Sequence, residues 1–182
     1  MRPALLLVLL ASVAQAAAPE ALVERGTYVG VGVGPLGFVN PPIARSQVLV
    51  GYGLSLEVRY APWERLAFSV LLMSSGMQGG AAAQGDVISV TPALAVRLNL
   101  LGVSDRFEVR RLWLYLRGGG GYTLFWPQTV MTRGAPVLFA GLGLEYRTHL
   151  RHFAVSLEAT PNYYPTLSLW SFAVTPSLQF AF

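Results

Sequence analysis

From Gln47 to Tyr60 the chain alternates with a period of two. Val48, Val50, Tyr52, Leu54, Leu56, Val58 and Tyr60 fall on one parity. Gln47, Leu49, Gly51, Gly53, Ser55, Glu57 and Arg59 fall on the other. Successive side chains of a β-strand point to opposite faces, so this segment reads as one long strand with one apolar face. The pattern recurs and predicts eight strands, at about 27–34, 47–60, 65–75, 87–100, 111–126, 137–147, 153–164 and 168–182.

The apolar parity carries no charge in any of them. It includes Phe68 and Val70, Leu94 and Val96, Leu114 and Leu116, Leu142 and Leu144, Val155 and Leu157, and Trp170 to Phe182 at every second residue. The opposite parity is rich in Gly, Ala, Ser and Thr. Its charges are Glu57, Arg59, Arg65, Arg97, Arg111, Arg117, Glu145, Arg147 and Glu158.

Two closed barrels generate such a pattern. A soluble one turns its apolar face inward, and a membrane one turns it toward lipid. A soluble exterior is rich in charge, and here the polar parity is mostly small and neutral. Small residues suit the crowded lumen of an eight-stranded barrel. Several strands exceed the roughly 9–11 residues that a tilted strand needs to cross a bilayer. Aromatics of the apolar parity gather near strand ends: Tyr60, Tyr146, Phe153, Phe180 and Phe182 toward one rim, Trp126, Tyr163, Trp170 and Phe172 toward the other. The expected fold is therefore all-β, an eight-stranded antiparallel up-and-down transmembrane β-barrel.

Composition sharpens this. Of 182 residues, 53% are hydrophobic and 12% charged, about half the usual charged share. Beyond the N-terminus no run of about 18 apolar residues exists, which excludes transmembrane helices. There is no Cys, hence no disulfide and no thiolate metal site. The 13 basic residues are all Arg, scattered singly, so the net charge of +4 is no nucleic-acid footprint. The start of the chain is a targeting segment. Arg2 precedes the apolar stretch Ala4 to Leu10, and Ala14-Gln15-Ala16 fits signal-peptidase cleavage. We expect residues 1–16 to be removed as a signal peptide and 17–182 to form the barrel.

The closing segment Val174-Thr-Pro-Ser-Leu178-Gln-Phe180-Ala-Phe182, together with the signal peptide and strand count, resembles the small outer-membrane barrels of Gram-negative bacteria, the OmpA/OmpX-like group. Gly141-Leu-Gly-Leu-Glu-Tyr-Arg147 is similar to a recurrent strand of that group. The resemblance covers the whole mature chain. It implies residence in the bacterial outer membrane, contact with its lipid and lipopolysaccharide, and insertion by the outer-membrane assembly machinery, which would read Leu178, Phe180 and Phe182. It is nearly silent on activity. The peptidoglycan-binding domain of full-length OmpA has no counterpart in this sequence.

With the N-terminus in the periplasm, segments 35–46, 76–86, 127–136 and 165–167 face outward, while 61–64, 101–110 and 148–152 face the periplasm. The segment 101–110, with Ser104, Asp105, Arg106 and Glu108, is long for a periplasmic turn. It is either a solvated turn or a contact for a periplasmic partner.

Inside a narrow lumen, unpaired charges are costly. Glu57, Arg59, Arg97, Arg117, Glu145, Arg147 and Glu158 are expected to form one network, with Arg117 central and Glu158 or Glu145 accepting. Such a network makes a structural plug or, alternatively, a gated path. Pro92, Pro161 and Pro176 fall within strands on the apolar face, and each removes one ladder hydrogen bond. Pro161 and Pro176 lie on consecutive strands. They mark either bulges and strand-end strain or a lateral opening for a hydrophobic molecule. No catalytic constellation is evident. The histidines, His149 and His152, fall in a periplasmic turn. His152 is roughly 13 Å along the strand from Ser156, too far for proton transfer. No metal cluster or cofactor site is expected. The function read from the chain is a structural barrel with a salt-bridged, mostly closed lumen. The alternatives are a small transport or lipid-handling barrel and an accessory subunit of an envelope complex.

Overall fold

The computed structural model describes residues 25–39, 48–77, 86–127, 134–150 and 152–182. The expected signal peptide and most of the expected outer loops lie outside the described residues. Eight antiparallel strands run in chain order: β1 Gly26–Val39, β2 Val48–Ala61, β3 Leu66–Met77, β4 Val87–Ser104, β5 Arg110–Trp126, β6 Gly134–Arg147, β7 Phe153–Tyr164 and β8 Leu169–Ala181. Each pairs with its neighbours, and β1 pairs with β8, which closes the barrel. The two ends differ. The turns at 62–65 and 105–109 and the connection between Arg147 and Phe153 share one end with both barrel termini; we call this the turn end. The other, the loop end, holds the 3-10 turn Pro165–Leu167.

The period-two pattern governs the wall. Val50, Tyr52, Leu54, Leu56, Val58 and Tyr60 of β2 are all exposed on the outside, while Leu49, Arg59 and Ala61 are buried inside. The same holds around the ring, with Leu94, Val96 and Leu98 outward and Ala93, Ala95 and Arg97 inward on β4. An apolar belt this continuous is far beyond what a water-facing surface carries, and it suits hydrocarbon. Aromatics mark both rims of the belt. Phe180 packs edge-on against Phe153 and Phe182 at the turn end, and Tyr163 lies 4.7 Å from Trp170 toward the loop end.

Three elements depart from the expected bounds. β1 continues through Pro35 to Val39, because Pro35 still pairs with Tyr52 of β2 and its missing N–H faces an interruption toward β8. β6 begins at Gly134, with Pro136 opposite Tyr122. The segment 101–110 is mostly strand: a bulge between Asn99 and Leu101 lets β4 run on to Ser104, so the turn shrinks to 105–109. Asp105 closes that turn, accepting N–H groups from Phe107 and Val109 and the guanidinium of Arg111.

Candidate functional site: the lumen

The inward parity of eight strands fills the barrel in tiers. Nearest the turn end, Tyr28, Ala61, Ala67 and Ala181 pack together. Above them Glu145 of β6, with no exposed surface, collects three guanidinium groups. Arg97 Nη1 lies 2.6 Å from Oε2, Arg59 Nη1 3.2 Å from the same oxygen, and Arg147 Nε 3.4 Å from Oε1. Arg59 also donates to Gln179 Oε1 at 2.7 Å, and Arg97 Nε to Asn99 Oδ1 at 2.9 Å. Each cation lies over an aromatic ring: Arg59 over Tyr28 at 4.4 Å, Arg97 over Tyr115 at 3.6 Å, and Arg147 over Trp113 at 5.3 Å. Ring faces attract cations and make such burial less costly.

The next tier is a second ionic group. Arg117 Nη2 donates to Glu158 Oε1 at 2.5 Å and Nη1 to Glu57 Oε2 at 3.4 Å. Tyr115 and Thr160 hydroxyls donate to Glu158, and Ser69 donates to Glu57. Arg117 meets Glu158 as expected, but the single network expected around it divides by ion pairing into two groups, with Tyr115 between them. Arg117 sits opposite Gly141 on β6, and Glu145 is four residues further along, roughly 13 Å toward the turn end. Glu57, expected low with Arg59, reaches the upper group. Of the other inward-parity charges, Arg111 is buried beside Asp105, whereas Arg65 sits exposed in the 62–65 turn.

Glycine makes room for these side chains. A Cβ on Gly143 would meet the ring of Tyr115, and one on Gly141 would stand 2.5 Å from Glu158 Oε1. Beyond the ionic groups come hydroxyl pairs, Ser75 with Ser89 at 2.7 Å and Thr91 with Thr123 at 2.8 Å. The loop end is then filled by apolar side chains: Phe38, Leu49, Met77, Val87, Phe125, Val137, Tyr164 and Leu169 form one buried cluster. The sequence reading missed this cluster, having taken the inward parity as small and polar. A signal was present. Where both parities turn apolar, as in Leu124-Phe125-Trp126 and Leu36-Gly-Phe38-Val39, the lumen itself is apolar.

The strand prolines do not lie around one opening. Pairing of β7 with β8 is unbroken from Phe153↔Phe180 to Tyr164↔Leu169, with Pro161 and Pro176 both in register. The interruptions fall on their other sides. β6–β7 pairing skips from Phe139↔Asn162 to Leu142↔Ala159 beside Pro161, and β1–β8 pairing skips from Gly32↔Ser177 to Leu36↔Ala173 beside Pro176 and Pro35. Near Pro92, β4–β5 pairing skips from Val90↔Leu124 to Ala93↔Gly121. A lateral gap shared by Pro161 and Pro176 between their own strands is therefore not what the fold contains.

His152, Ser156 and Glu158 are not brought together. His152 Nδ1 meets the Ala181 carbonyl at 2.7 Å, Ser156 bonds Ser177, and Glu158 serves Arg117. Among the described residues no three His, Asp or Glu side chains converge as a metal-ligand group.

No protein-family model matches the chain, and no curated protein matches it. Solved structures do. Neisserial surface protein A (NspA) superposes with a TM-score of 0.69 at 12% identity, covering 86% of this chain and 97% of that one. Ail, the attachment invasion locus protein of Yersinia pestis, superposes with a TM-score of 0.53 at 14% identity, covering 87% and 99%. At such identities the likeness is one of architecture. Strand number, closure and the outward apolar belt together establish that the chain has the fold of the small eight-stranded outer-membrane β-barrels.

Proposed function

We propose that the chain is a structural protein of the bacterial outer membrane, standing with its turn end in the periplasm and its lumen closed to solutes. One observation supports this reading: buried side chains pack across the lumen at two separate levels. Glu145 with Arg59 and Arg97, none more than 3% exposed, fills it toward the turn end. Phe38, Phe125, Val87 and Leu169, at 1% or less, fill it toward the loop end. An eight-stranded barrel is just wide enough for its own side chains to do this. Signal-peptide export, insertion by the assembly machinery through Leu178, Phe180 and Phe182, and contact with lipopolysaccharide belong to the same proposal. Planar-bilayer recording tests it: the pure protein inserts and leaves the baseline flat, and steady stepwise current would refute the closed lumen.

A second reading, an accessory subunit of an envelope complex, is favoured by the hairpin that joins β4 to β5. Beyond the bulge, Leu101, Val103 and Phe107 are 65%, 59% and 52% exposed past the rim of the barrel. Cross-linking from position 107 in intact cells tests it. A discrete adduct lost in Leu101→Ser/Phe107→Ser supports a partner, and cross-links to lipid alone exclude one.

A further inference from the structure

The two ionic tiers do not balance separately. The upper has one Arg and two Glu, whereas the lower sets Arg59, Arg97 and Arg147 around Glu145 alone. The lower tier therefore holds two more positive than negative charges while almost wholly withdrawn from solvent. The neighbouring charges offset only part of this. Glu57, paired with Arg117 and Ser69, also acts electrostatically on Arg59 and Arg97, and Arg111 is neutralised by Asp105, so the two tiers together, with four Arg and three Glu, keep one positive charge in excess.

The same tier has donors to spare. Arg97 Nη2 and Arg147 Nη1 are buried and meet no hydrogen-bond acceptor among the described residues. Their aromatic partners, Tyr115 and Trp113, present ring faces to the guanidinium groups and supply no lone pair to the in-plane N–H bonds. Buried donors are nearly always satisfied, and a surplus of buried charge is more costly still. A small, partly open cavity lies at this point, lined by Arg59, Arg97, Arg147, Glu145, Tyr28 and Asn99. It has room for about one water-sized group.

We propose that this cavity is a binding site for a single inorganic anion of the chloride class, held by Arg97 Nη2 and Arg147 Nη1. Its size excludes a phosphate or carboxylate, which would have to displace the packed layer of Tyr28, Ala61, Ala67 and Ala181. A water in the same place would satisfy the donors and leave the charge surplus uncompensated. The anion does both, and so becomes a structural ion of the fold.

Crystals of the full barrel, refolded and grown with sodium bromide in place of chloride, test this with no mutation. An anomalous peak at the bromine edge in contact with Arg97 and Arg147 is expected. Water density there without anomalous signal overturns the site. Unfolding in detergent gives a second readout. The midpoint rises with sodium chloride but not with sodium gluconate at equal ionic strength, and at a hundred times Kd the folding equilibrium shifts about a hundredfold. Arg147→Gln abolishes the difference between the two salts. Coincident midpoints in chloride and gluconate for the unaltered protein overturn the proposal.

Discussion

Glu145 Oε2 lies 2.6 Å from Arg97 Nη1, and the two side chains, from β6 and β4, are 0% and 3% exposed. They join strands that are not neighbours, across the barrel interior. The carboxylate also receives Arg59 and Arg147, so its neutralisation removes the ion-pair partner of three buried cations at once. Breaking a buried ion pair by removing one partner costs about 3–5 kcal/mol. Glu145→Gln is expected to destabilise the barrel by at least the lower figure, read as a fall in urea midpoint by tryptophan fluorescence in lipid vesicles. Glu57→Gln is expected to cost clearly less, because Arg117 keeps Glu158.

Tyr115 and Gly143 form a packing pair across β5 and β6. The Tyr115 ring occupies the space where a Cβ of residue 143 would stand, and its hydroxyl donates to Glu158 at 2.9 Å. Gly143→Ala is expected to destabilise by about 1–3 kcal/mol through overpacking. Tyr115→Phe removes a hydrogen bond to a charged acceptor, worth about 1.5–3 kcal/mol. In Tyr115→Ala/Gly143→Ala the clash disappears, so the double variant loses less than the sum of the singles. A double-mutant cycle on urea midpoints reads this coupling, and strict additivity would disprove the packing argument.

The wall was legible in the sequence because strand alternation is a local rule: Val50 to Tyr60 state which way each side chain points with no knowledge of neighbours. The lumen charges were legible for the same reason, since Arg59, Arg97 and Glu145 share the inward parity. Arg117 beside Glu158 was among the expected pairs and is present, but the partners of Arg59, Arg97 and Arg147 were not legible, because they depend on the stagger between strands. The register Arg117↔Gly141 separates Arg117 from Glu145, and no single strand encodes it. The apolar filling of the loop end was half legible, in the places where Phe125 or Leu169 breaks the polar parity. The effect of Pro161 and Pro176 was not, because a proline spares one neighbour and interrupts the other.

Pro35 and Pro176 flank the interrupted stretch where β1 meets β8. Neither can donate to the ladder. Pro35→Val/Pro176→Val restores two N–H donors at a lipid-facing seam. It is expected to raise the unfolding midpoint, at about 0.5–1.5 kcal/mol for each bond made. An unchanged midpoint would assign the interruption to the close approach of Gly34 to the Val174 carbonyl, which a proline replacement leaves in place. Pro161→Val tests the β6–β7 interruption in the same way.

The 105–109 turn carries a pH dependence of its own. The Arg111 guanidinium, then the N–H groups of Phe107 and Val109, hold the Asp105 carboxyl below its ordinary range. A carboxylate whose folded pKa is depressed contributes stability that is fully present above its unfolded value, about 3.9, and lost as pH falls through the folded value. The turn is therefore expected to keep its geometry throughout neutral and mildly acid conditions and to loosen only below about pH 3.9. Amide shifts of Phe107 and Val109, followed by NMR in micelles, should titrate together with a midpoint below that value. In Asp105→Asn the transition vanishes, and at neutral pH both amides already exchange faster than in the unaltered protein. A midpoint at or above the ordinary carboxylate value would mean that Arg111 does not hold this turn in solution.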